Sequence, residues 1–170
     1  LFADMSRHGE NFAVLWMASW WLALEWHPEQ KGYHGLGYYN LEHAWRLDHL
    51  LERAEQYGVY LDVAIDNHGK FSDLEDQEWR YNPYNKKNGV MLGEPNKFFT
   101  HAQAKALYSK RLRYLIARWG WSPNLAGLEF FSEINLTGRR GEWEKSRREK
   151  RVWLEEMAKL CVEHDLWVLS

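Results

Sequence analysis

The 170-residue sequence predicts an α/β fold in which strands alternate with amphipathic helices, and among such folds a barrel. Three observations predict it. Strand-like apolar runs at 11–18, 59–65 and 125–131 are separated by helical patterns, which implies parallel pairing through right-handed crossovers. No glycine-rich phosphate fingerprint follows a strand, since Gly35-Leu36-Gly37 lies deep in a loop without a third glycine. Carboxylates also fall on corresponding faces of two strands, a costly placement unless that face lines a polar lumen. A doubly wound sheet is the alternative.

Taken in order, Asn11 to Ala18 is almost wholly apolar and reads as a strand buried on both faces. Asn40 is placed to cap a helix reaching Tyr57, with Leu47, Leu50, Leu51 and Ala54 at helical spacing and Gly58 as its stop. Val59 to Ile65 is a β-branched strand. A long loop follows, and Thr100 is placed to cap a second helix with Tyr108, Leu112, Leu115, Ile116 and Trp119 as its buried stripe and Gly120 as its end. Ser122, Pro123 and Asn124 turn the chain into a third strand, Leu125 to Phe131. A charged stretch leads to a helix with Trp153, Met157, Leu160, Cys161 and His164 on one face, and Leu166 to Leu169 begins a fourth strand.

The period of two then assigns faces. Leu61, Val63 and Ile65 share one side, while Asp62, Ala64, Asp66 and His68 share the other. In the third strand Leu128 and Phe130 face the helices, and Gly127, Glu129, Phe131 and Glu133 face the lumen.

Lys plus Arg is 22 and Asp plus Glu is 24, so the net charge of -2 gives no electrostatic ground for a nucleic-acid partner or an anionic membrane. No apolar run approaches the roughly 20 residues needed to span a bilayer. The lone Cys161 has no internal disulfide partner, no Cys and His spacing resembles a zinc site, and no cofactor or metal is expected. The compartment stays open: the chain starts at Leu1 without a signal pattern, so any export signal lies upstream, and a secreted or periplasmic parent is one option. Oligomeric state is equally open.

Aromatic residues make 16% of the chain, with 11 Trp. Barrel active sites form at the carboxyl ends of the strands, in the loops leading to the helices. The loop from Ser19 to Tyr39 holds Trp20, Trp21, Trp26, His27, Tyr33, His34 and Tyr38, and the loop from Asp66 to Phe99 holds Phe71, Trp79, Tyr81, Tyr84, Asn82, Asn85 and Asn88. A connection this long is more often functional than passive. Sugars present flat C–H patches ringed by hydroxyls, so rings beside Asn, Asp and His suit an oligo- or polysaccharide. Glycoside hydrolysis also needs two carboxyl groups flanking the bond. Glu133, at a strand end among aromatics, is the candidate catalytic proton donor. The candidate substrate-binding residues are Trp16, Trp20, Trp21, His68, Asn82, Tyr84, Ser132 and Asn135. Glu129 and Asp62 read as structural, His43, His49 and His101 as surface or cap residues, and Arg139 to Arg151 as a solvated helix face.

At these residues the sequence resembles the clan of retaining β-glycosidases that includes the family 5 cellulases and mannanases. Leu128-Glu129-Phe130-Phe131-Ser132-Glu133 is similar to that clan's fourth-strand motif, and Ile65-Asp66-Asn67-His68-Gly69 to its third-strand ending. Asn82-Pro83-Tyr84-Asn85, Phe98-Phe99-Thr100, Ala117-Arg118-Trp119-Gly120 and Ser122-Pro123-Asn124 resemble segments of family-5-like bacterial proteins with long third loops. The resemblance implies an incomplete (β/α)₈ TIM barrel holding about strands 2 to 5, with 1–170 as the partial catalytic domain. It implies that Glu133 is the acid/base of a retaining double displacement, that His68 lines the site, and that the nucleophile is a glutamate on a seventh strand outside the chain. The isolated piece is then expected to be inactive. Two positions depart from the pattern: Ser132 stands where the clan has an asparagine that binds the sugar 2-hydroxyl, and Val14 where relatives often carry a lumen-facing arginine. These departures favour an alternative, a non-catalytic carbohydrate-binding barrel. A metal-dependent barrel hydrolase is a further alternative, although its first-strand His-x-His pair is not present.

Overall fold

The computed structural model describes residues 1–88, 91–139 and 141–162. Seven regular elements run in the order α1 (Phe2–Arg7), β1 (Phe12–Trp16), α2 (Leu41–Tyr57), β2 (Tyr60–Asn67), α3 (Ala102–Trp119), β3 (Leu125–Ser132) and α4 (Trp143–Val162). The strands form one parallel sheet in the order β1-β2-β3. This strand–helix alternation agrees with the α/β expectation. The fourth strand expected at Leu166 to Leu169, and His164, lie outside the described residues. No helix among the described residues is long and apolar enough to cross a membrane.

Local chemistry sets the ends of α2. The Asn40 side chain accepts the His43 N–H at 3.1 Å, and Gly58 closes the helix at φ 65°, a left-handed conformation that disfavours a Cβ. The second helix starts later than expected. His101 is its N-cap, while Thr100 ends a preceding 3₁₀ turn and donates its hydroxyl to the Lys97 carbonyl. Gly120 is its C-cap, as expected.

One apolar layer joins sheet and helices. Leu47, Leu51 and Ala54 of α2, Leu61 and Val63 of β2, Leu112 and Leu115 of α3, Leu128 and Phe130 of β3, and Met157 and Cys161 of α4 are all buried in it. Ile116 is only half-buried. Trp153 occupies the centre, its ring centroid 4.7 Å from that of Tyr108 and 5.5 Å from those of Phe99 and Phe131.

Several expectations are corrected. β1 is not buried on both faces: Phe12 and Val14, which share one face, are 50% and 52% exposed, whereas Ala13 and Leu15 on the other are half-buried. Phe131 packs among Phe71, Phe98, Phe99 and the α4 ring Trp153, so it joins the core instead of lining a lumen. Its register partner Asp66 likewise pairs with cations, on α3 and the following 3₁₀ turn. Strand alternation yields at these exit ends, since a buried carboxylate is far cheaper to place against a cation than according to parity. His43 is buried, its Nδ1 at 2.8 Å from the Ala23 carbonyl and 3.2 Å from the Tyr33 hydroxyl. Lys150, within the run expected to be solvated, is 1% exposed, lies over the Phe99 and Trp143 rings, and donates to the Thr137 carbonyl at 3.3 Å. Burial lowers its ammonium pKa to about 8.

Candidate active site

The carboxyl ends of β2 and β3 bring His68 and Glu133 together. His68 opens a 3₁₀ turn directly after β2, and Glu133 follows Ser132, the last residue of β3. His68 Nδ1 lies 3.1 Å from Glu133 Oε2 but makes no hydrogen bond among the described residues, and the imidazole is 5% exposed against 51% for the carboxylate. Strand parity does not place Glu133. The residue sits in the left-handed region at φ 57°, a conformation that costs a non-glycine residue of order 1–3 kcal/mol and concentrates at functional sites. It turns the carboxylate toward His68 while Ile134–Leu136 begin a further 3₁₀ turn.

Trp16, the last residue of β1, meets the His68 ring edge-on with centroids 6.3 Å apart. Three adjacent strands thus deliver an indole, an imidazole and a carboxylate to one end of the sheet. The other His68 nitrogen, Nε2, is 3.1 Å from Asp76 Oδ2 in the loop after β2.

The remaining candidates divide. Ser132 is half-buried at the exit of β3, in register with Asn67. Asn135 is exposed two residues beyond Glu133, and it lines a cavity of about 150 Å³ with Leu74, Leu136, Thr137 and Trp143. Trp20 is 67% exposed just past β1, and Trp21 is half-buried with its carbonyl held by Arg46. Asn82 and Tyr84 do not face a ligand. Asn82 is 1% exposed and spends both ends of its amide inside the loop, donating to the Lys70 carbonyl at 2.7 Å and accepting the Tyr84 N–H at 2.8 Å. Tyr84 is 2% exposed against Phe71 and Phe98. Trp26, Tyr33, Phe71 and Trp79 are buried too, so much of the aromatic richness of the two loops is packing. An apolar ring gains more from leaving water than from rimming a wet cleft.

No family model matches the sequence, and no curated protein matches it. Solved structures do match. An endoglucanase Cel5A of Pseudomonas stutzeri, in complex with cellobiose, superposes with a TM-score of 0.53 at 16% identity, covering 91% of this chain and 37% of the other. An endo-1,4-β-mannanase of Rhizomucor miehei superposes with a TM-score of 0.62 at 13% identity, covering 94% of this chain and 46% of the other. The fold is cellulase- and mannanase-like. The chain spans less than half the length of these enzymes, and its three-stranded parallel sheet matches part of their TIM barrel.

Below Glu133, on the face of the sheet opposite Leu128 and Val63, lie Glu129 and Asp62, paired in register with Ala64 and Gly127 respectively. Asp62 is also in register with Val14, the position where the resemblance would place an arginine. Among the described residues neither carboxylate has an ion-pair partner. Burial raises the pKa of Asp62, and burial, then the nearby charges of Asp62 and Glu133, raise that of Glu129. A carboxyl raised by folding binds its proton more tightly in the folded chain. Its stability contribution is therefore full below the unfolded-state value and lost as pH climbs through the folded one. Glu129→Gln is neutral at every pH, so it is expected to match the wild type near pH 4 and to exceed it at pH 7. The gain should be less than about 1 kcal/mol, because water still reaches the group. Urea denaturation at the two pH values checks this, and an equal difference at both would show that charge is not the cause.

A second group lies behind the site. Glu25, Asp66, Lys70 and Arg111 are each at most 5% exposed. Lys70 Nζ donates to Asp66 Oδ1 at 2.8 Å and to the Met17 carbonyl at 2.7 Å; Arg111 pairs with Asp66 and approaches Glu25 at 3.5 Å. Burial drives the Glu25 carboxyl up and the Lys70 ammonium down, whereas the carboxylates of Asp66 and Glu25 outweigh burial at Arg111 and raise it. The sequence reading does not single out Asp76, Glu25, Lys70 or Arg111. Arg111 had a signal, since it falls three residues after Tyr108 and one before Leu112 on the buried stripe of α3. Asp76 had none, because a polar residue in a polar loop shows no period.

Proposed function

We propose that the protein acts on β-linked oligo- or polysaccharides as part of a retaining glycoside hydrolase, with Glu133 as general acid/base. The observation that carries the reading is the placement of Glu133 Oε2 at 3.1 Å from His68 Nδ1, at the carboxyl end of a parallel sheet beside Trp16. A carboxyl there can protonate a departing glycosidic oxygen and later deprotonate the water that releases the sugar. His68 lies beside it, and Trp16 offers a π-face to a pyranose. A retaining displacement also requires an attacking carboxylate, which a further strand of a complete barrel would supply. The likeness of fold to an endoglucanase and a mannanase supports a β-glucan or β-mannan as substrate.

A second reading, carbohydrate binding without catalysis on the same scaffold, is favoured by Val14 opposite the uncompensated Asp62 and by Ser132 beside Glu133. Both readings place sugar at Glu133. Titrating the isotopically labelled protein with cello- and manno-oligosaccharides is expected to shift the resonances of Trp16, His68 and Glu133. Shifts confined to the α2 or α4 surfaces would remove the site from both readings. Release of reducing ends by the full-length protein separates the first reading from the second.

A further inference from the structure

His68 is held between two carboxylates, and only one of them belongs to the chemistry described so far. Its Nε2 hydrogen-bonds Asp76 Oδ2, and its Nδ1 lies beside Glu133 Oε2 without hydrogen-bond geometry, both at 3.1 Å. The non-glycine residues with positive φ among the described residues are these same two, Asp76 at 47° and Glu133 at 57°. Left-handed backbone is unfavourable for a non-glycine residue and persists only where the surroundings over-determine it. The Asp76 side chain is 73% exposed, so its hydrogen bond with His68 does not by itself hold that backbone in place.

The loop does that. Ser72 Oγ accepts the N–H groups of Leu74 and Glu75 at 3.1 and 2.9 Å, and Glu78 N–H donates to the Gly69 carbonyl at 3.0 Å. These bonds fold the loop back over the turn that carries His68. The approach is close enough that a Cβ on Gly69 would lie 2.7 Å from the Asp76 carbonyl oxygen, so this position excludes any side chain. A glycine at the crossing, a serine-closed turn and a left-handed aspartate all serve one outcome, a carboxylate against His68 Nε2.

We infer that Asp76 is a positioning residue for the Glu133 site: it accepts the Nε2–H of His68 and thereby fixes the tautomer that leaves an unprotonated Nδ1 beside Glu133. The inference rests on the glycosidase reading for its catalytic consequence, but not for its geometry. With Nε2 protonated, the Nδ1 beside Glu133 has no proton to donate, so Glu133 in its acid form keeps its own O–H for a glycosidic oxygen. When a glycosidic oxygen takes that proton, the Glu133 O–H bond breaks, an O–H bond forms on the departing sugar, and Glu133 becomes the carboxylate that later deprotonates water. The imidazole keeps its Nε2 proton throughout and is chemically unchanged. The arrangement follows the general rule that a ring nitrogen's role is set by the bond its partner nitrogen makes.

Two variants test it. Asp76→Gly deletes the carboxylate and suits a positive φ, so the fold should survive. Asp76→Asn keeps an acceptor oxygen and tolerates the same backbone. Nitrogen-15 correlation spectra of the His68 ring in the full-length protein are expected to show Nε2–H in the wild type and in Asp76→Asn, and a mixture containing Nδ1–H in Asp76→Gly. On a β-glycan, kcat of Asp76→Gly should fall about 10- to 100-fold with KM within about twofold, the signature of a misaligned acid rather than lost binding. Asp76→Asn should recover most of that loss. An unaltered His68 tautomer in Asp76→Gly overturns the inference, as does a shifted tautomer with undiminished kcat. If the wild type hydrolyses nothing, the glycosidase reading fails and the ring-nitrogen spectra alone decide the role of Asp76.

Discussion

Glu133→Gln in the full-length protein is expected to lower kcat on natural β-glycans by about 10²- to 10⁴-fold, with ligand affinity little changed. The amide keeps the shape of the carboxyl group and its place 3.1 Å from His68 but has no acidic proton to give. Two controls separate this from a folding defect. Activated aryl glycosides leave without protonation, so formation of the glycosyl-enzyme from them should survive. An external anion such as azide, which needs no base, should then restore turnover that water cannot. Unchanged hydrolysis of natural glycans would remove Glu133 from the acid/base role, while loss of binding along with activity would recast it as a substrate contact.

The second large effect concerns the charges behind the site. Arg111→Met is expected to destabilise the fold by about 3–5 kcal/mol, a large part of the 5–15 kcal/mol typical of a domain. Asp66 would keep Lys70 at 2.8 Å, but Glu25 would keep only the Gly37 N–H, at 2.6 Å. The penalty is therefore that of a buried, unpaired carboxylate. Glu25 is already raised by burial, and without Arg111 it rises further. A raised carboxyl loses stability as pH increases through its folded value, so the variant should be less impaired at pH 4 than at pH 7. Adding Glu25→Gln should recover much of the loss at pH 7. Urea midpoints for the single and double variants measure both points; a single-variant loss below about 1 kcal/mol would mean that the network contributes no more than surface pairs do.

The network also locates the site. Lys70 binds the carbonyls of Met17 and Ile65, tying the exit of β1 to that of β2, and Arg111 ties β2 to α3. Trp16, His68 and the loop bearing Asp76 hang from these ends. A fault in the buried charges should therefore appear first as misalignment at Glu133.

The sequence by itself determined the three strands, the three long helices and their order, but not the short helix α1. Asn40 and Gly58 bound α2 through capping and a left-handed stop, and the spacing of Tyr108, Leu112, Leu115 and Trp119 marks the buried side of α3. Such signals are local, fixed by backbone hydrogen bonding and side-chain periodicity within a few residues. His68 and Glu133 were legible as strand-end residues for the same reason. Tertiary structure alone decided which loop residues are available. Asn82 and Tyr84 carry the chemistry of a sugar site but are consumed by the loop's own packing, whereas Asp76, with no distinguishing neighbours, reaches His68. Tertiary structure also decided the face of Phe131 and the burial of Lys150, against their local pattern. The physical reason is range: capping and periodicity act over one or two turns, but burial and charge pairing depend on which distant segments share a space.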